Sequence, residues 1–371
     1  MKPLFAVLYL AAFLLSTPHT AKADDTAKVG TVENADYIRL EDIRSFYKFM
    51  PISQPRGGKS HTRAVGNGAV TLVFGPGSRE LSIHGLRCML SHPTQPDGQG
   101  DIQISKTDWL KLIDPVLRPT YISNRRVVKT VILDPGHGGH DAGTVTDHVR
   151  ESHVTLMVAS KLVSELKKRG VEVRLTRDAN HHVSDQSRVD LAAQAADAIF
   201  ISLHVNSGRS DVRGVETYTV TPAEPGEDKR PANEYDSANA ALAVALQAAL
   251  VHKAEAKDGG VRRARYSLLS SLNCPAALVE LGYATHEEEA EKLNDDEYQT
   301  RLALALADGI TSFATVMNPE TQLKALPPPP PPPAEPTKVE PVKKKVEPVK
   351  KTPPRKRRPA PRKKKPAQRK R

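Results

Sequence analysis

Three apolar runs in this chain each end on a residue able to carry a proton or grip a metal. Val131-Ile132-Leu133 leads into Asp134-Pro135-Gly136-His137-Gly138-Gly139. Ala198-Ile199-Phe200-Ile201-Ser202-Leu203 ends on His204, and Ala276-Ala277-Leu278-Val279 ends on Glu280. Short apolar runs bounded by Gly and Pro read as strands buried on both faces. Such strands need helices between them as cover, so the pattern confines this region to an α/β architecture. In open α/β sheets, sites form outside the carboxyl ends of the strands. Three segments therefore point chemistry toward one rim.

The intervening sequence agrees. A strand over 130–134 precedes a helix from about Glu151 to Arg169, where Leu156, Ala159, Leu162, Val163 and Leu166 recur at helical spacing and Gly170 stops the run. Val171 to Leu175 reads as a strand, 186–197 as a helix, and Gly214 to Val220 as a strand. Ala238 to His252 is an Ala/Leu-rich helix, 276–281 a buried strand, and Tyr298 to Phe313 a last amphipathic helix. The expected catalytic region, 124–317, is a mostly parallel sheet flanked by helices. Before it, residues 27–123 alternate short apolar runs such as Ala69 to Phe74 with turns such as Gly75-Pro76-Gly77 and Pro96-Asp97-Gly98, the pattern of a small, mostly-β accessory domain. The segment from Arg118 to Arg126 is the expected linker.

The two ends are different material. Lys2, the apolar stretch Leu4 to Leu15 and Ala21-Lys22-Ala23 make a secretory signal peptide over 1–23. The apolar stretch is short for a membrane span, which needs about 20 residues, so an exported chain in the periplasm or envelope, with no span after processing, is expected. From 318 a disordered Pro-rich basic tail is expected. Residues 327–333 are seven prolines, an extended spacer, and residues 334–371 hold 17 Lys+Arg against 3 Asp+Glu. That excess is larger than the chain's net charge of +11, so the rest of the chain is mildly acidic. Export turns the tail away from nucleic acid and toward anionic envelope polymers. Two cysteines, Cys88 and Cys274, are too few for a disulfide framework. A monomer is expected.

His137, Glu151 and His204 suit one divalent ion. Open catalytic zinc sites commonly use three protein ligands, including two-His-one-Glu sets, and keep a position for water. Other divalent ions accept similar sets. Glu280, from a further strand, is then the natural general base. Each has a plainer alternative. A His at a strand end is usually a surface residue, and a Glu opening a helix is usually a favourable charge at the dipole. Burying a carboxylate without a partner is costly, which makes Glu280 harder to dismiss. His140, His148 and His153 lie nearby but rank lower. The first two fall in the loop after the glycines, and His153 faces away from Glu151 two residues along a helix.

Ordered motifs add a resemblance. Asp134 to Gly139, Glu151, Leu175-Thr176-Arg177, Arg188, Ser202 to Asn206, Gly214-Val215-Glu216-Thr217 and Leu278-Val279-Glu280-Leu281-Gly282-Tyr283 resemble, in sequence order, the zinc-dependent N-acetylmuramoyl-L-alanine amidases of the amidase-3 family, across about 128–317. The resemblance implies hydrolysis of the amide between N-acetylmuramic acid and the L-alanine of the peptidoglycan stem peptide. It places one zinc on His137, Glu151 and His204 and the catalytic role on Glu280, with Asn206 and Arg188 as substrate contacts. This sequence departs from the family at two places. Gly282-Tyr283-Ala284-Thr285-His286 stands where Gly-Phe-x-Ser-Asn is usual, and Gly259 stands where Arg is usual. The stretch between Val220 and Ala238 is short and polar, so no built-in blocking helix is expected. Another zinc hydrolase of the wall, such as a carboxypeptidase or deacetylase, would use the same metal and base and differ in its products; a non-catalytic binder that keeps the fold is disfavoured because all four groups are present.

Overall fold

The computed structural model describes residues 29–32, 35–52, 62–222 and 233–320, all within one compact unit. The expected signal segment, the proline run, the basic tail and residues 223–232 of the polar connection lie outside them. Among the described residues, no helix is long and apolar enough to cross a membrane.

The first part holds β1 (Val29–Val32), β2 (Ala35–Arg39), α1 (Leu40–Tyr47), β3 (Met50–Pro51), β4 (Arg63–Gly66), β5 (Thr71–Phe74), β6 (Glu80–Ile83), β7 (Leu86–Met89), β8 (Gln95–Pro96) and β9 (Ile102–Ser105). In β5 and β6 buried and less buried residues alternate, as expected for strands with one face inward. A helical stretch over 106–121 follows.

The second part is β10 (Thr130–Pro135), α2 (Glu151–Lys168), β11 (Glu172–Leu175), α3 (Asp185–Ala193), β12 (Ala198–Asn206), β13 (Val215–Val220), α4 (Asp236–Lys253), β14 (Asp258–Ala264), β15 (Ala276–Tyr283), α5 (Glu287–Asn294) and α6 (Asp296–Met317). Strands β10 and β15 are buried along their whole length, the signature of a sheet covered on both faces. In α2, Val154, Val158, Leu162 and Leu166 recur every four residues and are fully buried. Gly170, at φ +75°, carries the chain out of that helix in the left-handed conformation glycine tolerates best.

One sheet joins both parts. Eleven strands follow the order β11-β10-β12-β15-β13-β14-β7-β6-β5-β4-β3, and a separate four-stranded sheet is β1-β2-β9-β8. Strands β11, β10, β12 and β15 are parallel. Strand β13 runs antiparallel to β15 and parallel to β14, which meets β7 at Val261 opposite Cys88.

The two parts also share a helix. Ala241, Leu242, Ala245, Leu246, Ala249 and Leu250 of α4 pack into the core with β10, β12, β15 and α6. Ala240, Ala243, Val244 and Ala248, on the other side, pack into the core of the first part with Leu72, Phe74 and Trp109. A helix apolar all round must be buried all round. The small β module expected over 27–123 therefore shares this helix and the eleven-stranded sheet with the second part. The segment expected as a free linker is also tied down. Arg118 is buried, paired with Asp114 and set over the rings of Phe46 and Tyr121. Arg125 donates to the carbonyls of Thr120 and Asn318. Cys88 and Cys274 are free and buried, and burial pushes both thiols up, so neither is a ready nucleophile.

Candidate metal centre

The site grows from the carboxyl ends of β10, β12 and β15. Registry places Leu133 beside Ile201 and His204 beside Glu280, so the three strand ends reach one level. After β10 the chain turns sharply, and His137 takes φ +62°, a conformation uncommon for a residue with a side chain. That strain is held by its surroundings. Arg177 is fully buried and donates to the carbonyls of Pro135, Gly136 and Ser152 at 2.8 Å each. It thereby clamps the His137 turn to the first turn of α2.

Two glycines make room. A Cβ on Gly136 would lie 2.5 Å from Nε2 and 2.8 Å from Nδ1 of His204. A Cβ on Gly143, at φ +64°, would lie 2.6 Å from both Glu151 Oε2 and His137 Cδ2. Side chains at either position would fill the space the two imidazoles and the carboxylate now share.

Those three residues meet. His137 Nε2 is 3.0 Å and His204 Nδ1 2.9 Å from Oε1 of Glu151. One ligand atom from each lies within 4.8 Å of the others, and among the described residues this is the one His/Cys/Asp/Glu group that could hold a metal. A zinc ion sits about 2.0–2.2 Å from nitrogen and oxygen ligands, so ligand atoms 3–4 Å apart fit it. His137 Nδ1 donates to Asp141 Oδ2 at 2.8 Å, which leaves Nε2 free to bind, the usual support for a metal-ligating imidazole. The remaining lone pairs of Glu151 accept from the amides of Thr144 (2.8 Å) and Val205 (3.0 Å). The donor set therefore suits a hard or borderline divalent ion.

Electrostatics agree with that geometry. The hydrogen bond to Glu151 raises His137 to about 9, against the effect of burial. Burial pushes the Glu151 carboxyl up, but hydrogen bonds from His137 and His204 outweigh it and hold the group well below the usual carboxylate range. Two imidazoles and a carboxylate crowded this way are stabilised by positive charge among them. Glu280, beside His204, is different. Burial pushes it up to about 7, with His204 opposing and Glu151 and Glu216 adding to the rise. Its Oε2 is buried with no hydrogen-bond partner, as expected of an atom that faces a reacting group.

The other residues singled out in the sequence fall elsewhere. Arg188 was expected to touch substrate, but it is buried and pairs with Asp134 while donating to the carbonyls of Val183 and His137. Asp134 also accepts from Thr176 and Ser202, both at 2.7 Å. This cluster anchors the base of the His137 turn, so Arg188 has no face left for a ligand. Asn206 donates to Glu216 and accepts from the amide of Ser207, so its amide also serves the framework. His140 lies against His182, the ring centroids 4.3 Å apart and the planes tilted by 42°, and His148 and His153 line a separate groove with Arg150, Leu156 and Asn180. None of these joins the triad.

Residue-by-residue reading missed Asp141, four positions after His137, and assigned no role to Arg177 or Glu216, although both lie inside the ordered motifs. Glu216 is buried and accepts from Arg262 (2.7 Å), Tyr218 (2.7 Å), Tyr283 (3.1 Å) and Asn206 (3.2 Å). Because β13 is antiparallel to β15, its first residues reach the rim. A rule that searches strand carboxyl ends passes over them.

Comparison with known proteins gives the lineage. Residues 131–312 match the amidase-3 family, described as N-acetylmuramoyl-L-alanine amidase. The uncharacterized protein YqiI of Bacillus subtilis is 34% identical over 185 residues, which span 50% of this chain and 84% of YqiI. N-acetylmuramoyl-L-alanine amidase LytC of the same organism is 31% identical over 193 residues, 52% of this chain and 37% of LytC. Among solved structures, the catalytic domain of CwlV, an N-acetylmuramoyl-L-alanine amidase from Bacillus (Paenibacillus) polymyxa var. colistinus, is 31% identical over 51% of this chain and 99% of that domain, with a TM-score of 0.44. The strand ends that converge on His137, Glu151, His204 and Glu280 all lie inside the matched segment, and the chain belongs to the amidase-3 family of N-acetylmuramoyl-L-alanine amidases.

Proposed function

We propose that the protein is an exported, zinc-dependent peptidoglycan amidase that cuts between N-acetylmuramic acid and the L-alanine of the stem peptide. The observation that carries this reading is the meeting of three ligand atoms beside a buried carboxylate whose Oε2 has no partner. His137, Glu151 and His204 would hold the ion. When bound, zinc acts as a Lewis acid that makes water acidic and polarises a carbonyl. Glu280 accepts the proton of the attacking water and passes it to the leaving amide nitrogen, a task matched by a group poised near neutral pH. Asp141 keeps His137 in the tautomer that leaves Nε2 free, and Arg177 fixes the turn that presents it.

The basic tail adds a tether. Its charge and the proline spacer hold the catalytic unit near an insoluble, anionic wall by raising its local concentration. The expected absence of a built-in block also belongs to this reading, although residues 223–232 lie outside the described ones; the 124–317 region should then act without an activating partner.

Muropeptide release by wild type and Glu280→Ala tests the reading. The expected products are sugar chains with free lactyl groups and intact stem peptides. A Glu280→Ala chain that keeps one zinc yet releases nothing places Glu280 in the chemistry. Shortened stem peptides or deacetylated sugars from the wild type would overturn the assignment.

A further inference from the structure

The regular ladder of the sheet breaks at the level of the site. Between β12 and β15 the pairing runs in step from Phe200–Ala276 to His204–Glu280, then shifts so that Asn206 faces Tyr283. Gly282, at φ +142°, lies in that shift. Strands β13 and β14 also slip by one residue, between Val215 and Glu216. The ladder resumes at Asn206–Tyr283, where the Ala284 amide donates to the Asn206 carbonyl at 2.8 Å, so the residues within the shift, just past His204 and Glu280, are the ones out of regular register.

One side chain spans the break. Glu216 lies directly opposite Glu280 on β13 and is 2% exposed. Its two oxygens accept from Asn206 at the end of β12, Tyr283 at the end of β15, Tyr218 on β13 and Arg262 on β14. A carboxylate this buried is tolerated only when paired and hydrogen-bonded, and removing its partners is costly. Tyr283 supplies a hydroxyl to Glu216 Oε1. Gly259 has the space of its missing Cβ 2.6 Å from Glu216 Cγ, and Arg262 of the same strand supplies the cation.

We propose that Glu216 is a positioning residue: its carboxylate ties the ends of β12 and β15 together across the interrupted ladder and so sets the direction of His204 and Glu280. This rests on the reading of those residues as metal ligand and base. The hydrogen-bond partners of Glu216 are protein side chains. Tyr283 and Asn206 act through it, and Arg262 balances its charge.

The test uses the full chain and a soluble muramoyl-peptide, with Glu216→Gln, Glu216→Ala, Tyr283→Phe and the double variant Glu216→Gln/Tyr283→Phe. Misplacing catalytic groups by about 1 Å costs on the order of 10²-fold. Glu216→Ala should lose about that in kcat with KM nearly unchanged, and its zinc affinity, read by competition with a chelator, should fall about tenfold. Glu216→Gln keeps the shape and should recover part of the loss. Tyr283→Phe alone should lower kcat several-fold, and its effect should largely vanish in the Glu216→Gln background. If Glu216→Ala does not fold, Tyr283→Phe and Glu216→Gln still decide the matter. Wild-type kcat and zinc affinity in both would overturn the proposal, as would a loss confined to KM. A wild type inert on the sugar–peptide bond would instead overturn the functional reading beneath it.

Discussion

Gly136→Ala adds one methyl group at the point where the His137 turn passes under His204. The added Cβ would sit 2.4 Å from Cε1 and 2.5 Å from Nε2 of His204, against about 3.4 Å for ordinary contact, so the ring must retreat by about 1 Å. The backbone offers no escape, because the turn is held by Arg177 through the Gly136 carbonyl and by the amide of Gly136 bonded to Leu203. Metal–ligand distances tolerate only about 0.2 Å. The expected result is loss of His204 as a ligand and a fall in zinc affinity of 10–100-fold or more. Overpacking should destabilise the fold by about 1–3 kcal/mol. Zinc content after dialysis against a competing chelator reads the first effect, urea unfolding of the metal-free chain the second, and muropeptide release the consequence. A Gly136→Ala protein with wild-type zinc affinity and turnover would refute the close approach of turn and imidazole on which the site depends.

Three further outcomes are expected. In the metal-free chain His137 titrates near 9 because Glu151 bonds its charged form, so at pH 7 zinc uptake should expel about one proton from it, measurable by calorimetry in buffers of different ionisation heat. Affinity should then climb about tenfold per pH unit and level off near pH 9; the same contact stabilises the metal-free fold fully below about pH 6.5 and ceases to as pH rises through about 9. Because α4 lies in both cores, Val244→Ala should cost about 2 kcal/mol and move a single calorimetric transition, whereas two separate transitions would contradict the shared helix. Deleting 327–371 should abolish the salt-sensitive part of binding to sacculi and leave turnover of soluble fragments unchanged; intact binding after deletion would end the tether idea.

Much of the catalytic half was legible because its signals are local. A buried strand that stops on Gly-His-Gly, or on a lone Glu after four apolar residues, announces itself within ten residues of chain. The helix at Glu151 was equally plain, since its four-residue period and terminal glycine are written in one stretch. Strand β14 was not, because Asp258-Gly259-Gly260-Val261-Arg262-Arg263 carries no apolar run and becomes a strand between β13 and β7. Arg188 misled for a related reason. Next to motif residues it looks like a ligand contact, and only the fold shows that Asp134 consumes its charge.

The sequence by itself therefore determined the α/β class, the strand ends that carry imidazole and carboxylate, and the family. The first two depend on periodicity or residue type over a short span, and the family on a resemblance carried by ordered motifs across about 128–317. Tertiary structure alone decided that β13 runs backward and delivers Glu216 to the rim, that α4 serves two cores, and that Asp134, Arg177 and Arg188 form the frame beneath His137. Those outcomes depend on strand direction and on partners distant in the chain, as for Asp134 and Ser202, 68 residues apart. Burial likewise acts only in the folded chain, where it pushes the Glu280 carboxyl up to about 7 beside His204.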